Sequence, residues 1–270
     1  MISYAQNFED VMLARAFRDR PKGFYIDVGA MDPVDGSVTK HFYDLGWRGI
    51  NIEPDARFYR RLVDSRPRDI NLNVALGNAV EKRALHVFDE QGLATFSPHF
   101  REYFMTRNYP GHEILVDVTT LSVVCKQYAT EPIDFLKIDA EGWEGPILEG
   151  AAWDTFRPVV IAIESTEPFS NVLISSSWEP ILINARYEFV YFDGLNRFYI
   201  RSESSGLKEA FQYPPNVLDG FTRWPEVQLR QDHNRLVQEI ASLKAERDAL
   251  IENRKTDRSL IAHDPPASAG

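Results

Sequence analysis

Short apolar runs alternate with segments of helical periodicity between residues 24 and 200. This alternation is typical of a parallel sheet whose connecting helices cover both faces. Most of the runs are apolar throughout, as strands buried on both faces must be. The pattern therefore predicts a doubly wound α/β domain with a seven-stranded sheet. The predicted strands are residues 24–28, 49–52, 70–74, 135–138, 159–163, 187–191 and 197–200.

The last two predicted strands are separated by residues 192–196, with the sequence FDGLN. This segment is rich in turn-forming residues and too short to contain a crossover helix. The two strands should therefore form an antiparallel hairpin at the edge of the sheet, which makes the sheet mixed.

The pattern weakens after residue 202, and the domain is predicted to end at residue 213, followed by a linker at 214–225. Four leucines then recur every seven residues, at Leu229, Leu236, Leu243 and Leu250. This spacing predicts a coiled-coil helix over 226–256 that joins copies of the chain into a homo-oligomer. An amphipathic helix packed on the domain is the alternative. Residues 257–270, rich in Pro, Ala and Ser towards their end, are predicted to be a disordered tail.

Composition and charge narrow the class of protein. Hydrophobic residues make up 44% and charged residues 26%, as in ordinary globular proteins. The net charge of -10 disfavours nucleic acid as a partner and suits a cationic ligand. Cys125 is the one cysteine, which excludes an intrachain disulfide and a cysteine zinc cluster. No apolar run is long enough to span a membrane, so a cytoplasmic location is predicted.

The segment after the first predicted strand has the features of a nucleotide-type loop. It contains Asp27, Gly29 and Ala30, and the glycine lies where the chain must turn closely around a ligand. The dinucleotide fingerprint Gly-x-Gly-x-x-Gly is absent, which favours a ligand without phosphates and disfavours a dehydrogenase. Glu53, followed by Pro54, ends the second strand, where doubly wound folds bind a ribose diol.

S-adenosylmethionine fits these features because it combines a ribose, an adenine and an amino-acid tail. We expect Glu53 to bind the ribose and the loop at Gly29 to bind the methionine part. The end of the third strand, at Ala75 and Leu76, should contact the adenine.

Five stretches of the sequence resemble the FkbM-type methyltransferases. They span residues 3 to about 200 and leave the leucine-rich helix outside the common domain. The resemblance implies a class I methyltransferase fold and O-methylation, commonly of sugar hydroxyls in cell-surface glycans or secondary metabolites. The stretches are residues 3–10 (SYAQNFED), 25–30 (YIDVGA), 42–54 (FYDLGWRGINIEP), 135–144 (FLKIDAEGWE) and 193–199 (DGLNRFY).

Acidic residues at the strand ends are the catalytic candidates, because ligands of doubly wound folds bind beyond the carboxyl ends of the strands. Asp139 is the predicted general base for a sugar hydroxyl and also a cofactor contact, and Glu141 is the second catalytic candidate. Asp139 and Glu164 are alternatively ligands for Mg²⁺, since carboxylates suit hard cations. Asp139 and Glu141 also fit a purely structural role as capping residues of the following helix.

Further candidates lie outside these strand ends. His99 is the third catalytic candidate, because its loop follows the cofactor half and is placed to reach the acceptor. The hairpin turn adds Asp193, Asn196 and Arg197, which are expected to face the same cleft.

Two other groups of residues have a structural and a functional interpretation. Trp47, Trp143 and Trp153 either stack on sugar rings or pack in the core. Glu9 and Asp10 are expected on the solvated face of an N-terminal helix.

Two functions follow from the sequence. The first is an S-adenosylmethionine-dependent O-methyltransferase that acts on a sugar hydroxyl of a polysaccharide or a glycosylated metabolite. The alternative is an inactive scaffold that uses its coiled coil to recruit an enzyme of glycan synthesis.

Overall fold

The structure is a computed structural model that describes residues 1–89 and 93–261. Its strands are β1 Ile2–Ser3, β2 Phe24–Val28, β3 Arg48–Ile52, β4 Ile70–Leu72, β5 Ala75–Leu76, β6 Glu81–Phe88, β7 Ala94–Thr95, β8 Gly111–Thr119, β9 Phe135–Ile138, β10 Val160–Glu164, β11 Tyr187–Phe192, β12 Asn196–Arg201 and β13 Thr222–Arg223. Its α-helices are α1 Glu9–Ala16, α2 Lys40–Asp44, α3 Ala56–Ser65, α4 Pro98–Thr106, α5 Leu121–Tyr128, α6 Glu144–Glu149, α7 Glu179–Asn184 and α8 Trp224–Ile261. Short 3₁₀ segments lie at Ser175–Ser177, Ser202–Phe211 and Val217–Asp219.

The central sheet of the described residues has seven strands in the order β11-β12-β10-β9-β2-β3-β4. Strand β2 pairs in parallel with β3 and β9, and β9 pairs in parallel with β10. Strand β12 is antiparallel to both β10 and β11. The predicted α/β class, the mixed sheet and its edge hairpin are therefore confirmed.

Two core clusters cover the two faces of this sheet. Successive residues of a strand point to opposite faces, so Ile26 and Leu136 pack in one cluster, whereas their neighbours Tyr25 and Phe135 pack in the other. Helices α5, α6 and α7 contribute to the first cluster, and α1 and α2 to the second. Cys125 lies buried in the first, where burial raises the pKa of its thiol to about 12.

A second sheet, which the sequence pattern did not predict, follows β4. Within the described part of the chain it has four strands in the order β5-β8-β6-β7. The predicted strand 70–74 is too long, since β4 ends at Leu72. The side-chain amide of Asn73 donates to the backbone carbonyls of Glu53 and Pro54, which turns the chain away from the first sheet.

Side-chain caps start three of the helices. The side chains of Asp55, Ser97 and Thr120 accept hydrogen bonds from backbone N–H groups in the first turns of α3, α4 and α5. Such caps typically stabilise a helix by about 1 kcal/mol. They start α3 and α4 close to the ends of β3 and β7, and these helices flank the site described below.

Glu9 and Asp10 are buried, which corrects the prediction of a solvated face. Asp10 accepts hydrogen bonds from the Ser3 hydroxyl and the backbone N–H of Tyr4. Glu9 accepts from the side-chain amide of Asn196 at 2.8 Å. Burial, together with the charge of Asp193, raises the pKa of Glu9 to about 7. The partner of Glu9 comes from a distant part of the chain, whereas the partners of Asp10 lie in the segment just before α1.

The first compact unit of the chain is Met1–Phe221, which extends beyond the predicted boundary at residue 213. The guanidinium group of Arg15 on α1 accounts for this extension. It donates to the backbone carbonyls of Tyr213 and Pro214 and to the carboxylate of Asp219. Residues 214–221, two thirds of the predicted linker, therefore belong to the domain.

The second unit, Thr222–Gly270, consists mainly of helix α8. This helix begins two residues before the predicted range 226–256 and ends five residues after it. Part of the predicted tail is therefore helical, and residues 262–270 lie outside the described residues. The side chains of the four leucines, from Leu229 to Leu250, are each more than half exposed. Among the described residues, no helix has the length and apolar character needed to cross a bilayer.

Candidate functional site

A cavity of about 610 Å³ opens at the carboxyl ends of β2, β3, β9 and β10. Its volume lies within the range of about 300–1,000 Å³ that is typical of cofactor and substrate sites. Ten of the residues predicted for the site line it: Asp27, Gly29, Ala30, Glu53, Pro54, Ala75, Leu76, Asp139, Glu141 and Glu164.

Gly29 lies where two neighbouring parallel strands end. Its φ angle is +71°, and a Cβ atom at this position would lie 1.9 Å from the backbone oxygen of Asp139. The N–H groups of Gly29 and Ala30 both donate to the carbonyl of Ile52 at the end of β3. The loop therefore requires glycine for its backbone conformation and for its close approach to Asp139.

Glu53 is buried at the wall of the cavity. Its Oε2 accepts the backbone N–H of Met31 at 2.9 Å, and its Oε1 accepts that of Asp55 at 2.8 Å. Burial raises the pKa of this carboxyl to about 7, although the N–H groups of Asp55 and Met31 oppose the shift. Each oxygen can still accept a second hydrogen bond, as a ribose diol requires.

Lys137 on β9 holds the carboxyl ends of the strands together, a role that the sequence analysis did not assign. Its ammonium donates to the carbonyl of Gly29 at 2.7 Å and lies 3.5 Å from Asp27 and 3.6 Å from Asp139. Burial lowers the pKa of this ammonium, but the carboxylates of Asp139 and Asp27 more than offset that effect and raise it above its ordinary value. Lys137 therefore stays charged and fixes both carboxylates.

Three carboxylates form a cluster on one side of the cavity. Oxygens of Asp139, Glu141 and Glu164 all lie within 4.8 Å of one another. Burial and the charge of Asp139 raise the pKa of Glu141 and Glu164 well above the ordinary range. Like charges this close disfavour full ionisation of all three groups, and a bound cation would offset this repulsion. This arrangement can bind a cation or exchange a proton.

Comparison with known sequences decides the family. The sequence model of the methyltransferase FkbM domain matches residues 27–189. The chain belongs to the FkbM methyltransferase family. The resemblance noted from the five sequence stretches is thus confirmed, and with it the dependence on S-adenosylmethionine that the family implies.

Other comparisons add little detail to this assignment. Among solved structures, the chain is similar to a TehB-like SAM-dependent methyltransferase from Corynebacterium glutamicum, with a TM-score of 0.38 and 10% sequence identity. That similarity covers 72% of this chain and 88% of the other. No protein of curated function matches this FkbM methyltransferase significantly.

The residues of this FkbM methyltransferase fit S-adenosylmethionine. Oε2 of Glu164 and Nε1 of Trp143 are buried polar atoms without a hydrogen-bond partner, and Oδ1 of Asp27 has an ion pair with Lys137 but no hydrogen bond; all three residues line the cavity. Buried polar atoms are rarely left unpaired. A ligand that carries a charged sulfur, a diol and a base offers partners for such atoms.

The three tryptophans have different roles in this FkbM methyltransferase. Trp143 lines the cavity and packs against Phe96, with ring centroids 5.3 Å apart. Trp47 is buried in the second core cluster, and Trp153 donates to the carbonyl of Leu148. Trp143 is therefore the tryptophan available to a ligand, whereas the other two pack in the domain.

Several predicted residues lie away from the cavity. Among the described residues, His99 does not line it, because the side chain lies on the outer surface of α4 with its Nε2 3.4 Å from Glu167. The side-chain amide of Asn196 donates to Asp193 and to Glu9, and Arg197 pairs with Glu179, so contacts within the domain occupy these turn residues. The structure therefore corrects the expectation that they face the cleft.

Three of the six non-glycine residues with a positive φ angle in the described part of the chain line the cavity. Met31, Glu141 and Phe169 are non-glycine residues with φ angles of +46°, +50° and +53°, and all three line it. Such conformations cost about 1–3 kcal/mol each and are common at functional sites. No local sequence signal marks these residues, because their conformations depend on contacts with distant elements.

Proposed function

We propose that this FkbM methyltransferase methylates a hydroxyl oxygen, and that the acceptor is a sugar hydroxyl of a polysaccharide or a glycosylated metabolite. One observation carries the proposal: the cluster of Asp139, Glu141 and Glu164 lines the same cavity as Glu53. A sugar hydroxyl is a poor nucleophile when protonated, so its methylation needs a proton acceptor at the reacting oxygen. The cluster supplies such an acceptor in the cavity that Glu53 also lines.

The residues that line the cavity fall into two groups: those that bind S-adenosylmethionine and those that take part in proton transfer. Glu53 accepts the ribose diol, the Gly29 loop leaves space for the methionine part, and Ala75 and Leu76 bound the adenine region. When bound, S-adenosylmethionine supplies a methyl group on a positively charged sulfur. The cluster draws the proton from the acceptor hydroxyl while the new C–O bond forms and the C–S bond breaks. Positioning of the two reactants supplies much of the acceleration.

Asp139 and Glu164 alternatively hold a Mg²⁺ ion that binds the acceptor oxygen. The short distances between their oxygens support this variant. Carboxylates are ligands that Mg²⁺ prefers, and a bound ion would favour their ionised form.

Replacing Glu164 with glutamine is expected to lower kcat for methyl transfer about 100-fold, because loss of a proton acceptor typically costs this much or more. The measurement is transfer of a radioactive methyl group from S-adenosylmethionine to oligosaccharides. Glu188→Gln, which changes a surface glutamate paired with Lys208, is the control and should leave kcat unchanged. Equal kcat values for the two variants would remove Glu164 from the reaction. Activity that survives exhaustive chelation would exclude the metal variant.

We also propose that α8 pairs with α8 of a second copy of the chain. The helix has 38 residues, or about 57 Å at 1.5 Å per residue. Its leucine seam is exposed, although a seam with this spacing is normally buried against another helix.

Changing Leu236 and Leu243 together to lysine is expected to convert a dimer into a monomer in light-scattering measurements, because charges do not pack in a coiled-coil seam. The control changes Gln238 and Ala245 to lysine, which lie on the opposite side of the heptad. If both double variants keep the wild-type mass, the helix does not mediate assembly.

A further inference from the structure

The loop of residues 167–171, which we call the rim loop, follows β10 and lines the cavity. The N–H of Glu167 donates to the carbonyl of Val172 at 2.8 Å, and the N–H of Ser170 donates to the carbonyl of Glu167. The side-chain amide of Asn171 donates to the carbonyl of Gly194 in the hairpin turn. These bonds close the rim loop on itself and attach it to the domain.

Phe169 at the tip of the rim loop has two features that the fold does not require. Its φ angle of +53° favours glycine, and its side chain is 64% exposed although it is large and apolar. Both features cost free energy in the unliganded protein. A residue of this kind at the wall of a cavity is suited to contact with a ligand.

Aromatic side chains of α4 and the segment after it hold the Phe169 ring in place. Tyr109 and Tyr103 lie nearly parallel to it, with centroids 6.3 and 6.5 Å away and interplanar angles of 12° and 23°. Phe104 meets it edge-on at 6.3 Å. The ring orientation is therefore fixed while much of its surface remains open.

The polar groups around this ring indicate the chemistry of the occupant. Glu167 and Asn171 of the rim loop also line the cavity, and Oε1 of Glu167 lies 3.4 Å from Nε2 of His99. Their side chains carry a carboxylate and an amide oxygen. Both are hydrogen-bond acceptors that suit hydroxyl donors. A flat apolar surface beside two hydroxyl-binding groups matches a pyranose ring, which has an apolar C–H face and a polar edge.

We propose that Phe169 is the surface on which the pyranose ring of the acceptor stacks, with Glu167 and Asn171 binding its hydroxyls. The proposal rests on the proposed function and names the part of the site that selects the acceptor. Glu164 lies five residues earlier and ends β10. A ring held on Phe169 therefore sits in the same cavity as the carboxylate cluster that accepts its proton.

The test uses the full chain with methyl α- and β-glycosides of hexoses and 6-deoxyhexoses as probes. Binding is measured by saturation-transfer NMR, and turnover by methyl transfer. Phe169→Ala should raise KM about tenfold, equivalent to about 1.4 kcal/mol, with kcat and S-adenosylmethionine affinity within about twofold of wild type. Phe169→Trp should restore KM because it supplies a larger aromatic face. Phe189→Ala, which changes an exposed phenylalanine outside the cavity, should have no effect on KM.

An unchanged KM in Phe169→Ala would overturn the proposal. Wild-type protein that binds none of the glycosides, or that prefers simple phenols, would overturn the assignment of the ring as a pyranose. Phe169→Gly tests folding separately, since glycine adopts this φ without strain. If wild-type protein does not bind S-adenosylmethionine, the proposed function is contradicted. Glycoside binding that depends on Phe169 would still support the stacking surface in that case.

Discussion

Glu53→Gln is expected to weaken S-adenosylmethionine binding by about 100-fold, or about 2.7 kcal/mol. Both carboxylate oxygens of Glu53 accept backbone N–H groups, from Met31 and Asp55. The amide of glutamine has only one acceptor oxygen, so its NH₂ group must face one of these N–H donors. The variant also loses the negative charge that strengthens hydrogen bonds to the ribose diol, each of which contributes about 1.5–3 kcal/mol when charged. Isothermal titration calorimetry with S-adenosylmethionine measures the change.

Glu9→Gln provides a matched control for this variant. Glu9 is as buried as Glu53, and burial raises its pKa to about 7 as well, but it does not line the described cavity. Both variants should lose thermal stability to a similar degree, whereas only Glu53→Gln should lose affinity. If the two variants bind S-adenosylmethionine equally well, the position of the ribose has been misassigned.

The raised pKa of Glu53 provides a second test of the proposal that this residue binds the ribose. The acid titrates near 4.5 when unfolded and near 7 when folded, so its contribution to stability is present below pH 4.5 and is lost as pH rises through 7. The ionised form, however, is the one that accepts the diol from both oxygens. Affinity should therefore increase between pH 6 and 8 in wild type, and Glu53→Gln should reduce this pH dependence.

Much of the site could be predicted because it follows from strand ends. Asp27, Glu53 and Asp139 each end or follow an apolar run, and parallel strands bring their carboxyl ends to one edge of the sheet. Local sequence was therefore enough to place these side chains in one cavity. The same reasoning placed the edge hairpin, since a five-residue connection cannot hold a crossover helix.

The remaining features depend on contacts between distant segments. Glu9 is buried because Asn196, 187 residues away, donates to it, and no helical pattern around residue 9 could show this. In the sequence, Lys137 is only a polar residue within an apolar strand. Its role follows from the positions of Asp27 and Asp139 beside it in the structure. Strand β6 begins with three charged residues, Glu81, Lys82 and Arg83, so its pairing with β8 was not apparent from hydrophobic periodicity. The surroundings of Phe169 likewise come from a distant segment, which supplies Tyr103 and Tyr109.

Gly29→Ala is expected to abolish measurable S-adenosylmethionine binding and to lower the Tm by about 5–15 °C. An added Cβ would lie 1.9 Å from the backbone oxygen of Asp139, and backbone atoms cannot move as a flexible side chain does. The left-handed backbone conformation costs a non-glycine residue about 1–2 kcal/mol, and overpacking adds about 1–3 kcal/mol. For a domain of this size, each kcal/mol lowers the Tm by about 2–4 °C. Relief of the overlap must separate β2 from β9, which also displaces Lys137 from the carbonyl of Gly29.

Gly46→Ala isolates the effect of backbone conformation from the effect of close approach. Gly46 has a φ angle of +91°, but an added Cβ there would have no heavy atom within 4 Å. This variant should lose only the conformational cost of about 1–2 kcal/mol and should bind S-adenosylmethionine normally. Thermal melts and calorimetry on both variants give the comparison. If Gly29→Ala were no less stable than Gly46→Ala and kept its affinity, the strand ends would not be in close contact, and the loop at Gly29 would not shape the cavity.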